Sequence, residues 1–247
     1  MTYFFPAILY AVIVATTPTA ANMPSGLCVG VPFQDTQPVG PLLAELGTEC
    51  WLDWHYASSG PGYVPMVYAP AYMDVAPKLM RRQPERLWLV LNEPERSDQA
   101  KVTPSEAVQL TQAVDATGAP GACCGTIAWD NSWLDAYLDA GGAVPDIWHV
   151  HAYGVETPQA WQAQINSFYA WMDGRNVARP VIVSETNAGA GDVDAQAELL
   201  AYVRTATAED DRLLAVFWFA TRYYSAGDAA LFDDAGRLTP VGAAFVE

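Results

Sequence analysis

Two short stretches of this chain end in the same unusual way. Leu87-Trp88-Leu89-Val90-Leu91 runs into Asn92-Glu93-Pro94-Glu95, and Val181-Ile182-Val183-Ser184 runs into Glu185-Thr186-Asn187. Each is an apolar run of strand length that stops abruptly at a glutamate. One such glutamate is ordinarily a solvated loop residue. Two that face each other across a cleft can do general acid–base work: one carboxyl protonates the leaving oxygen of a glycosidic bond, and the other attacks carbon or activates water. Close carboxylates also disfavour double ionisation, so one keeps its proton near neutral pH.

A third stretch, Ile147-Trp148-His149-Val150-His151-Ala152-Tyr153-Gly154, alternates so that His149, His151 and Tyr153 share one face of a strand. His151 and Tyr153 stand nearer its C-terminal end and point toward the cleft. His149 lies a layer lower and reads as a hydrogen-bonded core histidine. His149-x-His151 is also a metal-ligand spacing, but the chain has 3 histidines, the third being His55, and no cluster completes a ligand set. Neither a metal nor a cofactor is expected. Aromatic residues follow several strand ends: Trp54 and Tyr56, Tyr68 and Tyr72, Trp129 and Trp133, then Trp218, Tyr223 and Tyr224. Such rings stack on the C–H faces of sugars, so an acidic, aromatic-lined mouth suits a carbohydrate; Trp133, inside a helical stretch, reads as structural.

The elements that must position these groups are legible as eight apolar runs: Leu27 to Val31, Cys50 to Trp54, Tyr63 to Val67, Leu87 to Leu91, Ala122 to Ile127, Ile147 to His151, Val181 to Glu185 and Ala215 to Phe219. Amphipathic segments separate them. Thr103-Pro104 with Glu106, Thr157-Pro158 and Thr239-Pro240 each put a capping hydroxyl before a proline, which predicts helices at 104–116, 158–173 and 240–246; a fourth is read at 194–208. Eight strands alternating with helices in one domain predict an α/β fold, a compact (β/α)8 barrel with catalytic groups at the C-terminal strand ends. Only His55 to Gly62 separates the second and third runs, too little for a helical crossover, so a loop is expected there. An open doubly wound sheet is the alternative, but no G-x-G-x-x-G follows a strand.

Composition narrows the partners. With 12 Lys+Arg against 28 Asp+Glu the net charge is −16, which repels nucleic acid and anionic membrane surfaces. The apolar run Phe4 to Ala15, followed by small residues to Ala21, reads as a secretory signal over 1–21 preceding a single domain over 22–247; an uncleaved N-terminal anchor is the other reading, since the first basic residue is Lys78. The four cysteines, Cys28, Cys50, Cys123 and Cys124, sit in apolar strand runs and read as free buried thiols. No G-x-S-x-G supports a serine hydrolase.

Asn92-Glu93-Pro94, His151-x-Tyr153-Gly154, Ser184-Glu185, Trp218 and the closing Leu231-Phe232-Asp233-Asp234-Ala235-Gly236-Arg237-Leu238-Thr239-Pro240-Val241-Gly242 together resemble the retaining β-glycosidases of glycoside hydrolase clan A. The compact length, the short second connection and Tyr63-Val64-Pro65-Met66-Val67-Tyr68 are most similar to family 128 of that clan, with Glu95 and Thr186-Asn187 departing from its pattern. The resemblance implies Glu93 as general acid/base, Glu185 as nucleophile, Asn92 holding the sugar 2-hydroxyl and Tyr153 bonded to Glu185. His151 and Trp218 would line the same subsite; of the aromatic residues at the predicted mouth, Trp54, Tyr68, Trp129 and Tyr223 are expected as further substrate contacts. The resemblance also implies a retaining endo-β-glycosidase acting on a β-glucan, β-1,3-glucan foremost; with the N-terminal signal, a secreted monomer is expected. Another clan A specificity (mannan, xylan or mixed-linkage glucan) and a non-catalytic glycan-binding barrel are the alternatives.

Overall fold

A computed structural model describes residues 23–32, 38–127, 130–189, 192–222 and 227–247. The segment read as a secretory signal, and Trp129, Tyr223 and Tyr224, lie outside them. Eight parallel strands follow the predicted runs: β1 (Gly26–Gly30), β2 (Trp51–Leu52), β3 (Met66–Val67), β4 (Trp88–Val90), β5 (Gly121–Ile127), β6 (Ile147–Ala152), β7 (Val181–Thr186) and β8 (Leu213–Trp218). They are hydrogen-bonded in the order β2-β1-β8-β7-β6-β5-β4-β3. Between the two end strands, Trp51 and Tyr63 form a parallel bridge in which Trp51 N donates to the Gly62 carbonyl (3.0 Å) and Val64 N to that of Trp51 (2.8 Å). The result is a nearly closed (β/α)8 barrel.

The helices are α1 (Val39–Leu46), α2 (Ala76–Met80), α3 (Pro104–Asp115), α4 (Ser132–Asp139), α5 (Pro158–Gly174), α6 (Val193–Glu209) and α7 (Pro240–Val246). Thr103 caps α3 in a reciprocal box with Glu106, and the hydroxyls of Thr157 and Thr239 cap α5 and α7, each with a proline in the first turn. No helix occupies 55–62. In its place the buried carboxylate of Asp53 gathers the loop, accepting from His55 N (3.1 Å), Ser58 Oγ (2.5 Å) and the Tyr63 hydroxyl (2.8 Å). Among the described residues no helix is long and apolar enough to cross a membrane.

Alternation along each strand divides the core in two. Cys28, Leu52, Met66, Leu89, Ala122, Ile147, Ile182, Ala215 and Phe217 fill the barrel, while Val29, Val90, Trp148, Val183, Val216 and Trp218 pack outward with helix residues such as Leu134 and Trp161. The cysteines correct the expectation of free thiols: Cys28 is bonded to Cys50 and Cys123 to Cys124. All four are buried as expected. Cys123 and Cys124 are sequence neighbours; the other pair follows from a neighbour relation between strands, since the register Val29↔Trp51 brings Cys28 beside Cys50, at a Cα–Cα distance of 4.9 Å, inside the range that a disulfide spans.

Candidate active site

The end of β4 turns sharply. Leu91 and Glu93 both have left-handed backbones, φ 71° and 43°, a conformation that costs a residue with a side chain about 1–2 kcal/mol. What holds the turn comes from the neighbouring strand. Glu93 N donates to the Gly125 carbonyl (2.8 Å), and Gly125 itself, at φ +67°, has room for no side chain: a Cβ there would lie 2.7 Å from the Leu91 carbonyl oxygen and 2.8 Å from His149 Cε1. Directly beneath, fully buried His149 places Nε2 at 2.9 Å from the Val90 carbonyl and Nδ1 at 3.0 Å from Ser184 Oγ. Burial drives its pKa down to about 3, so the ring is neutral. Nε2–H therefore donates to the carbonyl and Nδ1 accepts the serine proton, tying the ends of β4 and β7 together as a core histidine.

Above this layer three groups converge. One oxygen of Glu93, one ring nitrogen of His151 and one oxygen of Glu185 all lie within 4.8 Å of one another. His151 Nδ1 stands 3.0 Å from Glu93 Oε1, and its Nε2 is 3.3 Å from Glu185 Oε1 without hydrogen-bond alignment. Both oxygens of Glu185 receive neutral donors, the Trp54 indole N–H on Oε1 (2.5 Å) and the Tyr153 hydroxyl on Oε2 (3.0 Å). Glu93 Oε2 meets Arg96 Nε at 3.2 Å, and Arg96 also grips exposed Asp98 through two bonds. The two glutamates are 4 % and 7 % exposed.

Burial raises the Glu185 pKa above the usual carboxylate value; His151 and the bonds from Trp54 and Tyr153 oppose it, and Glu93 reinforces it. Burial works against the charged form of His151, but the flanking carboxylates of Glu185 and Glu93 outweigh it, and its pKa lies above the ordinary histidine value. Tyr153 is pushed far up by burial and then by Glu185, so it acts only as a donor. Among the described residues, these three are the ones whose spacing could hold a cation. The donor set argues otherwise: every carboxylate oxygen already faces an N–H, an O–H or a ring nitrogen, and one facing group is a guanidinium.

The remaining predicted residues divide. Asn92 is buried at the same end of β4; its amide N donates to Gln99 Oε1 (3.4 Å), the Tyr68 hydroxyl reaches the same Gln99 oxygen, and Asn92 Oδ1 is buried without a partner. The pKa of Tyr68 is raised, by burial first and then by the charge of Glu185. Trp54 is drawn in as a donor to Glu185. Trp218 is a correction. It is fully buried on the helix-facing side of β8, with its indole N–H on the Ala229 carbonyl (2.9 Å), because the alternation that turns Ala215 and Phe217 inward turns Trp218 outward. The aromatic that reaches the mouth is Phe219, 5.3 Å from the Trp54 ring and 6.1 Å from Tyr153. On the opposite flank Tyr72 meets His55, Tyr56 and Tyr68. Sequence reading missed Phe219, Arg96 and Gln99. The phase of β8 would have found the first, and a cation three residues past Glu93 the second.

Comparison with known proteins places this geometry. The family model described as glycosyl hydrolase catalytic core matches residues 44–245. No match is found among curated proteins. Among solved structures, a GH128 subgroup I endo-β-1,3-glucanase from Amycolatopsis mediterranei in complex with laminaritriose is 18% identical, with a TM-score of 0.74 over 90% of this chain and 98% of that one. A subgroup II endo-β-1,3-glucanase from Pseudomonas viridiflava is 21% identical (TM-score 0.70; 90% and 97% covered). A subgroup III curdlan-specific exo-β-1,3-glucanase from Blastomyces gilchristii is 19% identical (TM-score 0.70; 89% and 97% covered). At these identities the likeness is one of fold. The family match, by contrast, runs from α1 to α7 and takes in every strand from β2 to β8, and so the chain belongs to the glycosyl hydrolase catalytic core family.

Proposed function

We propose that the protein is a retaining β-glycosidase that cleaves β-1,3-glucan internally, with Glu185 as nucleophile and Glu93 as general acid/base. The observation that carries this reading is the approach of the two carboxylates to within 4.8 Å, oxygen to oxygen. Retaining enzymes hold the pair about 5–5.5 Å apart, whereas inverting enzymes separate them by about 6.5–9.5 Å to admit water. The partners divide the roles. Glu185 receives two donors that keep their protons, which favours its anion at the anomeric carbon. Glu93 has no neutral donor of that kind: it touches His151, which also lies 3.3 Å from Glu185, and the Arg96 guanidinium, and it takes the acid/base role by its place after Asn92 at the end of β4. In the first step Glu93 protonates the departing glycosidic oxygen while a Glu185 oxygen bonds to the anomeric carbon; in the second, Glu93 takes a proton from water, which displaces Glu185 from that carbon. The unpartnered Oδ1 of Asn92 is free to accept from a sugar hydroxyl, and Phe219, packed beside Trp54 and Tyr153 that hold Glu185, offers a ring for stacking. The substrate is suggested by the three structural neighbours, all β-1,3-glucanases, and the pair by mutants of two glutamates in the Amycolatopsis enzyme that lie about as many residues apart along the chain as Glu93 and Glu185. Two disulfides suit an oxidising compartment, which fits export.

The test is azide rescue. Glu185→Ala should lose turnover and regain it with azide on an activated β-glucoside, giving an adduct of inverted configuration. Glu93→Ala should fail on laminarin yet give a retained adduct. Near-normal hydrolysis of laminarin by both variants would refute the assignment, and release of glucose alone from laminarin by the unmodified protein would replace endo action with exo.

A further inference from the structure

We propose that Trp54 is a positioning residue for Glu185, seated by the absent side chain of Gly30, and that it is not a stacking platform for sugar. The proposal rests on the reading of Glu185 as nucleophile and names what fixes that carboxylate in place.

Three observations converge. The indole Nε1 lies 2.5 Å from Glu185 Oε1. Tyr153 holds the other oxygen, so the two donors together fix the plane of the carboxylate, and each comes from a different strand end. Next, Trp54 has φ +59°, a left-handed backbone in which a bulky residue is an outlier. The turn at the end of β2 swings this side chain across the mouth toward β7. Finally, the ring is fitted from below. Gly30 closes β1 with no left-handed φ of its own, so its backbone does not require glycine; a Cβ there would lie 2.6 Å from Trp54 Cη2 and 3.1 Å from Cζ2. A side chain at position 30 would thus push the six-membered ring out of its seat. Phe219 closes the arrangement edge-on, at an interplanar angle of 73°. A stacking platform offers a face and keeps its N–H for the sugar; this indole has the Cη2–Cζ2 edge of its six-membered ring fitted against Gly30, Phe219 packed at a steep angle to it, and its N–H spent on a carboxylate.

The charged and titratable groups facing Glu185 are His151 and Tyr153 from β6 and its end, Glu93 from the end of β4, and Tyr68 from the end of β3. Trp54 contributes a donor that no pH change can remove. Its loss therefore moves the titration of Glu185 in one direction, upward, because a hydrogen bond to the charged form is gone.

The variants are Trp54→Phe, which keeps an aromatic ring and loses the N–H, and Gly30→Ala, which touches no substrate. For both, kcat on an activated β-laminaribioside should fall by about 10–100-fold, the range set by losing one hydrogen bond to a charged group. KM should stay within about threefold and the acid limb of kcat/KM should move up by about one pH unit. A tenfold rise in KM with kcat and the acid limb unchanged would show a sugar platform and overturn the proposal. An NMR readout separates this from failure of the parent reading. The Trp54 indole proton should resonate downfield of the other indole protons and return toward them in Glu185→Ala, whether or not the protein hydrolyses glucan; an unshifted resonance overturns the proposal directly. Peptide mapping of protein treated with a 2-deoxy-2-fluoro laminaribioside tests the parent reading by itself. Should Gly30→Ala fail to fold, Trp54→Phe carries the kinetic test alone.

Discussion

Gly125→Ala should damage the active site from a position that touches no substrate. The magnitude follows from two costs. Alanine at φ +67° is strained by about 1–2 kcal/mol. Its Cβ would also sit 2.7 Å from the Leu91 carbonyl oxygen and 2.8 Å from His149 Cε1, where ordinary contacts are about 3.5–4.0 Å. Overpacking of that kind costs a further 1–3 kcal/mol, roughly. Together, about 2–5 kcal/mol lowers the melting temperature of a domain this size by roughly 4–20 °C. Relief must come from the end of β4, because His149 is locked between Val90 and Ser184. The segment that yields is Leu91-Asn92-Glu93, whose last residue is also bonded to the Gly125 carbonyl. A displacement of about 1 Å in a catalytic group costs on the order of 100-fold in rate. The assay is kcat on laminari-oligosaccharides at a temperature where the variant is folded, beside a thermal melt. Gly118→Ala is the control: its φ is +79° but nothing lies within 4 Å of its Cβ, so it should lose stability and keep kcat. Gly125→Ala with kcat within twofold of the parent, or Gly118→Ala with an equal loss of kcat, would refute the reasoning.

His149 is held with a pKa of about 3, below its unfolded value of about 6.5, so between those values the unfolded chain binds a proton that the folded one excludes. Its contribution is therefore complete above pH 6.5 and is lost as pH falls toward 3, at up to about 1.4 kcal/mol per unit; urea midpoints for His149→Gln should show a flatter dependence over that window, and parallel curves would contradict the assignment. Denatured, unreduced protein should take up no iodoacetamide and reduced protein four equivalents by mass spectrometry, with Cys50→Ala costing about 2–4 kcal/mol in stability; alkylation before reduction would break the assigned pairs.

The barrel was legible because parallel strands covered on both faces read as unbroken apolar runs, and because Thr-Pro pairs announce α3, α5 and α7. The missing second helix was legible from length alone. Helices α1 and α2 carried no such signal: α1 starts after Pro38 without a side-chain cap, and α2 is only 5 residues long. The cysteines illustrate the boundary. Their burial follows from the apolar runs around them, whereas the pairing of Cys28 with Cys50 depends on the register of β1 against β2, which no single run contains.

The same boundary runs through the site. Glu93, Glu185, His151 and Tyr153 announce themselves because each sits at the end of a strand whose own pattern is clear, and the structure brings all four together. Trp218 was drawn into the predicted mouth by proximity to a strand end; phase decides instead, and Phe217 facing the interior makes Phe219 the next residue on that face. Trp54 was expected for its flat face and is found using its N–H. Which of the two an indole offers depends on how its ring is seated, here with its edge against a glycine on β1 and its N–H on a carboxylate of β7. The conformation of Glu93 likewise depends on Gly125 of β5 and on His149 of β6 under the end of β4. In a barrel each strand supplies a chemical group, and the strands beside it supply the space and the partners that orient that group. Substitutions at Gly30 and Gly125, which carry no functional group, should therefore move kinetics without touching substrate: Gly30→Ala as far as Trp54→Phe, and Gly125→Ala on the order of 100-fold, short of the loss in Glu93→Ala.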